Sequence, residues 1–322
     1  MKPFVALVTA MHLSPEAQRI LTDAGGEIAF MPDPVDEDTL IARFAQGPVH
    51  AVVLRGSKPF TARVLAAAPH LKVIAKNGAG VDSVDIECAT QRGVAVMVAA
   101  GANAEAVAEH SIALMLALTR DLFGLDRKVR GAGWESTGYQ GRDFRGSTVG
   151  IIGFGSIGRA TAKMAAALGA KVIVMDAFAK SEEFEMETDL DRLLARADIV
   201  SLHCPLTEST RGLIGKRELG LMRKGAILIN TARGPLVDEA ALVDALRSGH
   251  LAGAGLDTFV TEPIAAGNPL IKLPNVILTP HVAGVTRNAV LGVSTITATN
   301  VVDRITGKPL DRRNLVNPEV LR

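Results

Sequence analysis

Short apolar runs alternate with amphipathic stretches from the start of the chain. Runs typical of buried strands occupy residues 4–9, 27–31, 51–54, 72–75 and 94–98. The segments between them carry apolar residues at helical spacing, at 15–24, 37–46, 61–68 and 83–92. Strands that alternate with helices predict a mostly parallel sheet with right-handed crossovers.

The same alternation returns after a long apolar helix, which we predict over residues 103–120. A glycine-rich stretch at 131–141 indicates a boundary, and a second strand–helix series begins at Thr148. Its strands are expected at 148–152, 171–175, 199–203, 226–230, 254–257 and 276–279, and a last long helix at 286–306. The chain therefore contains two doubly wound halves. Two domains are also expected because 322 residues exceed what one hydrophobic core usually supports.

Composition narrows the class of protein. The apolar residues, 48% of the chain, are mostly Ala, Val, Leu and Ile, which suits parallel strands buried beneath helices on both faces. A net charge of +1 without runs of one sign argues against nucleic acid or an anionic membrane as partner. Cys88 and Cys204 are too few for a disulfide framework and lack metal-ligand spacing, so we expect no metal and a cytoplasmic location. The apolar run after Lys2 is too short for a signal peptide or a membrane span.

A glycine fingerprint, Gly153-Phe154-Gly155-Ser156-Ile157-Gly158, lies in the middle of the chain between a predicted strand and a predicted helix. In a dinucleotide site the first glycine permits the tight turn, the second lets the backbone approach the pyrophosphate, and the third allows close helix–strand packing. The N-terminus of the following helix offers N–H groups to the phosphates. Because enough residues precede the fingerprint to form a domain, the cofactor module is predicted to be inserted into a two-lobed enzyme with a cleft.

The strand after the fingerprint ends in Asp176. A carboxylate there can accept hydrogen bonds from ribose hydroxyls and would repel a 2′-phosphate, which favours NAD over NADP. The alternative is that Asp176 caps a turn at the end of its strand.

Polar residues follow three later strands, at 230–238, 256–263 and 278–284. Ligands of doubly wound sheets bind outside the carboxyl ends of the strands, so these segments are expected to line one crevice. They contain Arg233, Glu262 and His281. Taken singly, each of these residues is more often structural than catalytic.

With these motifs the chain resembles the D-2-hydroxyacid dehydrogenase family over nearly its full length. The resemblance rests on the fingerprint and on four other motifs in the same order, namely Asn77-Gly78-Ala79-Gly80-Val81-Asp82, Thr231-Ala232-Arg233-Gly234, Glu262-Pro263 and Pro280-His281. It implies an α/β fold in which a Rossmann NAD domain, residues 101–285, is inserted into a flavodoxin-like substrate domain, residues 1–100 and 286–322. The last helix would then pack back onto the first lobe.

The resemblance also implies a catalytic set of Arg233, Glu262 and His281. Hydride transfer to a 2-oxo acid leaves negative charge on the carbonyl oxygen, and a histidine, with an unperturbed pKa of about 6.5, can supply the proton that neutralises it. Glu262 would orient the ring and favour its charged form. Arg233 would offer a fork of donors to the substrate carboxylate and carbonyl oxygen.

Two binding regions follow from the same resemblance. The N–H groups of Ala79 and Gly80 would hold the substrate carboxylate, and Arg55 and Lys76 would meet a substrate phosphate as in phosphoglycerate dehydrogenases. Lys58 is expected close to the same mouth of the cleft, and the alternative is that Lys58 and Lys76 are exposed lysines. The NAD site would comprise Gly153, Gly155, Ser156, Ile157, Gly158, Asp176, Pro205, Thr210, Thr231, Ala232, Arg233, Asp257, His281, Ala283 and Gly284.

Several functions remain open within and beyond this family. The substrate is 3-phosphoglycerate or, alternatively, glyoxylate or hydroxypyruvate, and because the chain ends soon after its last helix no C-terminal regulatory domain is expected. Formate dehydrogenases share the fold but have Gln in place of Glu262, which argues against them. An NAD-sensing corepressor would retain the same three residues, although the chain lacks extended interaction tails. A homodimer built on the 103–120 helix and its neighbours is also expected from the resemblance.

Overall fold

The computed structural model describes residues 3–134 and 136–321 and divides them into two compact units. The first unit comprises Met1–Asn103 and Thr286–Arg322, and the second comprises Ala104–Val285. The chain therefore divides just before the long apolar helix. The glycine-rich stretch at 131–141 lies inside the second unit, so the boundary that it indicated is not where the chain divides.

The first unit is a parallel sheet covered by helices. Its strands are β1 (Phe4–Val8), β2 (Gly26–Phe30), β3 (Ala51–Leu54), β4 (Val73–Lys76) and β5 (Ala95–Met97). Its helices are α1 (Pro15–Asp23), α2 (Glu37–Ala45), α3 (Ala62–Ala66), α4 (Ile86–Gln91) and, from the end of the chain, α11 (Arg287–Thr306). The strand order β2-β1-β3-β4-β5 is that of flavodoxin-like folds.

The C-terminal segment belongs to this first unit, as the family resemblance implied. Helix α11 packs against α1 and β4. Beyond it, Leu315 forms an antiparallel bridge with Met97, and the buried Asn317 side chain accepts a hydrogen bond from Val96 N–H at 2.8 Å. The tail thus covers the outer side of β5.

The second unit carries the other sheet. Its strands are β6 (Thr148–Ile152), β7 (Lys171–Met175), β8 (Glu185–Met186), β9 (Ile199–Leu202), β10 (Ala226–Asn230), β11 (Leu251–Leu256) and β12 (Val276–Leu278). Its helices are α5 (Ala104–Thr119), α6 (Leu122–Arg130), α7 (Ser156–Ala167), α8 (Leu190–Arg196), α9 (Lys216–Leu221) and α10 (Glu239–Arg247). The order β8-β7-β6-β9-β10-β11-β12, with all pairs parallel, is the Rossmann order extended by one strand. The predicted fold class is therefore confirmed.

Local signals explain where the elements begin, and they also explain two differences from the prediction. Helix α4 begins later than the predicted 83–92 segment because the Asp85 side chain caps it, accepting the N–H of Cys88 at 2.9 Å. Val84, just before this cap, instead pairs with Phe60 in an isolated bridge. Helix α6 and strand β8 were not predicted: β8 has only two residues, and α6, although its Leu122, Leu125 and Val129 recur at helical spacing, lies directly before the glycine-rich stretch that indicated a boundary.

Each sheet buries apolar side chains on both of its faces. In the first unit, one cluster includes Leu7, Val52 and Ile74, and the cluster on the other face includes Ala6, Val53 and Ala75. This alternation along parallel strands is what burial beneath two helix layers requires. Among the described helices, none is long and apolar enough to cross a membrane.

Candidate active site

The polar segments predicted to carry chemistry in the second unit lie along one edge of its sheet. The fingerprint follows β6, Asp176 follows β7, and Pro205 comes shortly after β9. Residues 231–234, 257–263 and 279–284 follow β10, β11 and β12. Because all these strands are parallel neighbours, their carboxyl ends share an edge, and the strand order reverses there between β6 and β9. This is the position at which doubly wound sheets bind ligands.

The fingerprint glycines divide into two kinds by what surrounds them. A Cβ on Gly158 would lie 2.0 Å from the Gly153 carbonyl oxygen, so only glycine allows α7 to begin so close to β6. A Cβ on Gly155, in contrast, would meet nothing within 4 Å. The open space beside Gly155 and the first turn of α7 (Ser156, Ile157) together fit a phosphate group.

Asp176 holds the fingerprint turn from the neighbouring strand. One carboxylate oxygen accepts the N–H of Phe154 at 2.7 Å, and the other accepts those of Phe178 and Ala179 at 2.8 and 2.7 Å. Burial opposes ionisation of Asp176, but these hydrogen bonds, led by the one from Ala179, and the nearby Arg159 outweigh it and lower its pKa. Asp176 therefore caps its turn, as the alternative proposed, and remains an ionised carboxylate at this edge.

The segment that carries Arg233 is fixed by a buried amide and by a close backbone contact. The Asn230 side chain accepts the N–H of Ala232 at 3.0 Å and donates to the Arg233 carbonyl at 2.8 Å. A Cβ on Gly234 would lie 2.0 Å from the carbonyl carbon of Phe259. The Arg233 segment therefore packs directly against the segment that leads to Glu262.

Glu262 connects this segment to His281. One carboxylate oxygen of Glu262 accepts the N–H of Phe259 at 3.0 Å, and the other lies 2.7 Å from Nδ1 of His281. Burial opposes ionisation of Glu262, but the hydrogen bonds from His281 and Phe259 and the charge of Arg233 lower its pKa. The Arg233, Glu262 and His281 predicted as one set are thus brought together in this unit.

The protonation of Glu262 determines the tautomer of His281. A carboxylate with a lowered pKa carries no proton at neutral pH, so Nδ1 of His281 must be the donor in their hydrogen bond. Nε2 is then the ring nitrogen available for proton exchange with a ligand. Since the His281 side chain is 46% exposed within the chain, such an exchange is sterically possible.

Asp257, buried beneath the same edge, accepts hydrogen bonds from residues on both sides of His281. Its carboxylate accepts the N–H groups of Val282 and Ala283, both at 2.9 Å, and the hydroxyl of Thr279 at 2.6 Å. His281 has φ of +55°, in the left-handed region that residues other than glycine seldom adopt. These bonds over-determine the turn and stabilise that conformation.

The remaining predicted cofactor residues, Pro205 and Thr210, lie after β9. The Thr210 hydroxyl donates to the Pro205 carbonyl at 2.7 Å, which closes the loop that contains both residues.

His203 and Cys204, which we did not predict, pack against Gly153. A Cβ on Gly153 would lie 2.4 Å from the backbone nitrogen of Cys204. Burial lowers the pKa of His203 to about 3 and raises that of Cys204 to about 11. Both side chains are therefore neutral, and His203 is not a competing proton donor.

The predicted substrate residues all lie in the first unit, at the carboxyl ends of β3 and β4. Leu54 pairs with Lys76 in the sheet, which places Arg55 beside the Asn77–Gly80 loop. Ala79 is exposed, and Gly80 is partly exposed. The interpretation of Lys76 as a solvated lysine is wrong, because Lys76 is only 9% exposed and donates to the Gly56 carbonyl.

The other two cations of this group differ in their partners. Lys58 is paired with Asp33. Arg55 donates to the His12 carbonyl at 3.0 Å, and among the described residues it has no carboxylate within ion-pair distance. A guanidinium has five N–H donors, so Arg55 keeps several for a ligand.

Two residues of α5 contact the site and were missed. His110 lies 3.0 Å from the Thr279 hydroxyl, and Ser111 lies 2.9 Å from that of Thr231. Their signal was present in the sequence as polar residues at the centre of a mostly apolar helix, where buried polar groups without a partner are costly.

The fold and this edge together define a dinucleotide-binding α/β protein with an Arg–Glu–His cluster beside the cofactor turn. Residues 112–283, more than half of the chain, match the family described as D-isomer specific 2-hydroxyacid dehydrogenase, NAD binding domain. The chain belongs to the D-isomer specific 2-hydroxyacid dehydrogenase family.

Individual relatives agree with this assignment. The chain is 44% identical over 271 residues to a D-3-phosphoglycerate dehydrogenase of Archaeoglobus fulgidus, covering 83% of this chain and 51% of that one. It is 41% identical over 273 residues to a glyoxylate reductase of Thermofilum pendens, covering 81% and 79%. The crystal structure of the TT0316 protein of Thermus thermophilus superposes with a TM-score of 0.88 at 36% identity, covering 97% of this chain and all of that one. The chain thus spans about half the length of the phosphoglycerate dehydrogenases that it matches.

Proposed function

We propose that the protein is an NAD-dependent oxidoreductase that interconverts a D-2-hydroxy acid and its 2-oxo acid. The observation that carries the proposal is the 2.7 Å contact between Glu262 and His281 at the edge that also holds Arg233 and the fingerprint turn. Family membership and relatives of both substrate types support it. The residues of unit 2 are proposed as the NAD domain and those of unit 1 as the substrate domain.

Bound NADH would supply the hydride for the reduction direction. Nε2 of His281 donates a proton to the carbonyl oxygen as negative charge develops there, and it takes the proton back in the reverse direction. Glu262 holds the ring through Nδ1 and stabilises its charged form. The Arg233 guanidinium binds the substrate carboxylate and carbonyl oxygen, and the N–H groups of Ala79 and Gly80 are proposed as further carboxylate donors.

The fingerprint offers a matched test of cofactor binding. Gly155→Ala is expected to fold normally, because its Cβ meets open space, but to weaken NADH binding about 10-fold by intruding on the pyrophosphate. Gly158→Ala is expected to lower stability by about 2 kcal/mol through the clash with the Gly153 carbonyl. Thermal melts and NADH fluorescence titrations measure both effects. Unchanged NADH affinity in a folded Gly155→Ala variant would argue against a pyrophosphate at this turn.

The Glu262 carboxylate should make reduction pH-dependent. The pKa of Glu262 is lowered in the folded protein from its ordinary value of 4.5. The ionised carboxylate therefore interacts with His281 at any pH above 4.5, and this interaction is lost as the pH falls through the lowered pKa. In Glu262→Gln no carboxylate titrates beside the ring, so the variant should lack the decline of kcat that the wild type shows at acid pH, and its kcat at neutral pH should be about 10-fold lower because the ring loses its anionic partner. Profiles of kcat against pH measure both effects, with the exposed Glu182→Gln as control. Superimposable profiles for Glu262→Gln and the wild type would contradict the assigned role.

The substrate itself is proposed only as a short 2-oxo acid. The Arg55 guanidinium, which keeps free donors, supports 3-phosphoglycerate as the hydroxy acid, whereas the glyoxylate reductase relatives support an unphosphorylated one. Hydroxypyruvate and phosphohydroxypyruvate have the same carbon skeleton and differ by the phosphate alone. Their ratio of kcat/KM therefore isolates the contribution of a phosphate site.

The decisive experiment is an NADH-oxidation screen with glyoxylate, hydroxypyruvate, phosphohydroxypyruvate and bulkier 2-oxo acids. Turnover with at least one of them, and a preference for NADH over NADPH, is the expected result. Absence of turnover across the panel in a protein that binds NADH would leave the NAD-sensing protein as the better explanation.

We also propose a homodimer that uses helix α6. No residue of α6 is buried in the chain, and its apolar Leu122, Phe123 and Val129, together with Trp134, are each more than half exposed. Exposed apolar residues of this kind typically mark an interface.

The free thiols of Cys88 and Cys204 support a reducing compartment such as the cytoplasm.

Charge introduced among the apolar residues of α6 should dissociate the dimer. Phe123→Glu is expected to shift the mass measured by light scattering towards that of the monomer, because an unpaired charge would be buried in the interface. Phe178→Glu is the control, since Phe178 is also highly exposed but lies after β7, away from α6. A dimer that survives Phe123→Glu, or a monomeric wild type, would exclude this interface.

A further inference from the structure

The catalytic segments after β10 and β12 are both tied to one helix, α5. Three strands lie side by side here in the order β10, β11, β12, and α5 packs across β10 and β11. The close approach is possible because β11 carries Gly253 and Gly255 at the crossing. A Cβ on Gly255 would lie 3.0 Å from Leu114 Cβ.

The first hydrogen-bonded link joins His110 of α5 to Thr279 and Asp257. The number of protons available determines which atom donates in each hydrogen bond. The Thr279 hydroxyl has one proton, and the carboxylate of Asp257 can only accept it, at 2.6 Å. Thr279 must therefore accept from Nε2–H of His110 at 3.0 Å. The link runs from His110 through Thr279 to Asp257, and Asp257 also holds the N–H groups of Val282 and Ala283 on the other side of His281.

The second hydrogen-bonded link joins Thr231, after β10, to Ser111 of α5, and its protons are donated from the strand end towards the helix. The buried Ser111 hydroxyl donates its one proton to the Val107 carbonyl at 2.8 Å, within its own helix. It must then accept from the hydroxyl of Thr231 at 2.9 Å. Thr231 is two residues before Arg233, so this link reaches the other catalytic segment.

We propose that His110 and Ser111 are positioning residues that set the spacing between the Arg233 and His281 segments. Consecutive residues of a helix point about 100° apart, which lets one pair reach two strand ends separated by β11. This proposal rests on the proposed function, because spacing of the two segments matters for a substrate that touches both. Misplacement of a reacting group by about 1 Å is enough to reduce turnover strongly.

Removal of one hydroxyl in each link tests the proposal. Thr279→Val should lower kcat about 10-fold, because it frees the His281 segment, and Thr279→Ser should restore most of it. Ser111→Ala should act mainly on the KM of the 2-oxo acid through Arg233. Thr119→Val is the matched control, since its hydroxyl is also on α5 but donates only to the Leu116 carbonyl. Melting temperatures measured in parallel separate these distinct effects on kcat and KM from a general loss of stability.

A double-mutant cycle tests whether the first link acts as a chain. His110→Phe and Thr279→Val break the same link, so the double variant should lose no more kcat than Thr279→Val alone. His110→Phe and Ser111→Ala break different links and should be additive. The proposal is overturned if Thr279→Val and Ser111→Ala keep kcat and KM within about twofold of Thr119→Val, or if Thr279→Ser fails to rescue.

Failure of the positioning role and failure of the proposed function give different results. A wild-type protein with no turnover on any 2-oxo acid overturns the proposed function and leaves the link to be judged by histidine ring NMR. The His110 signals should then report a proton on Nε2, and the His281 ring signals should move in Thr279→Val but not in Thr119→Val. Unchanged His281 signals in both variants overturn the positioning role.

Discussion

His281→Asn should reduce kcat for 2-oxo acid reduction by about 10²- to 10⁴-fold, the usual contribution of a positioned general acid. The substitution is chosen because His281 has φ of +55°, and asparagine tolerates the left-handed conformation better than alanine does. The loss would then reflect the missing proton donor and not a rearranged turn. Asparagine has no nitrogen that titrates near neutral pH, so it cannot replace Nε2.

Stopped-flow measurement of NADH oxidation, with a separate titration of NADH binding, distinguishes chemistry from binding. NADH affinity should stay within about threefold, since the backbone contacts of Asp257 remain. His250→Asn is the control, because His250 precedes β11 at the opposite edge of the sheet and contacts the Leu219 carbonyl. Turnover of His281→Asn within tenfold of the wild type would show that another group donates the proton.

Arg233→Lys should lower kcat/KM for the 2-oxo acid by about 100-fold, or nearly 3 kcal/mol, although the charge is retained. A lysine ammonium is a point charge and cannot make the paired, planar contacts that a guanidinium makes with a carboxylate. The segment itself should stay in place, because Asn230 holds the backbone around Arg233 and not its side chain.

The distribution of this loss between kcat and KM is informative. If Arg233 binds the carboxylate in the ground state and the transition state alike, KM rises and kcat changes little. Arg247→Lys, on the exposed last turn of α10, should behave as the wild type. Equal kcat/KM for Arg233→Lys and Arg247→Lys would remove Arg233 from the proposed site.

Much of the fold was predictable because its signals are local. Strands buried on both faces give short continuous apolar runs, as in Ala51–Leu54 and Ala226–Asn230, and the helices between them carry caps such as Ser14 and Asp36. The two-residue strand β8 has no such signal and was missed. Helix α6 was also missed: its Leu122, Leu125 and Val129 recur at helical spacing, but Asp121 at its start makes no side-chain cap hydrogen bond.

The prediction of the site was weaker wherever a role depends on a distant partner. From its sequence alone Lys76 could be an exposed lysine or a buried one, and only the tertiary structure shows its 9% exposure and its hydrogen bond to the Gly56 carbonyl. His110 and Ser111 illustrate the same limit, since their partners are 169 and 120 residues away. Sequence spacing carries no information about such contacts.

The sequence by itself predicted the doubly wound class and the cofactor turn, because strand periodicity and glycine spacing are properties of short segments, and its resemblance to the family implied the set of Arg233, Glu262 and His281. The tertiary structure decided that Glu262 contacts Nδ1 of His281, which nitrogen carries the proton, and that Asp257 and α5 hold the turn around it. These follow from parallel strands that bring distant segments to one edge, where hydrogen-bond geometry depends on three-dimensional distances.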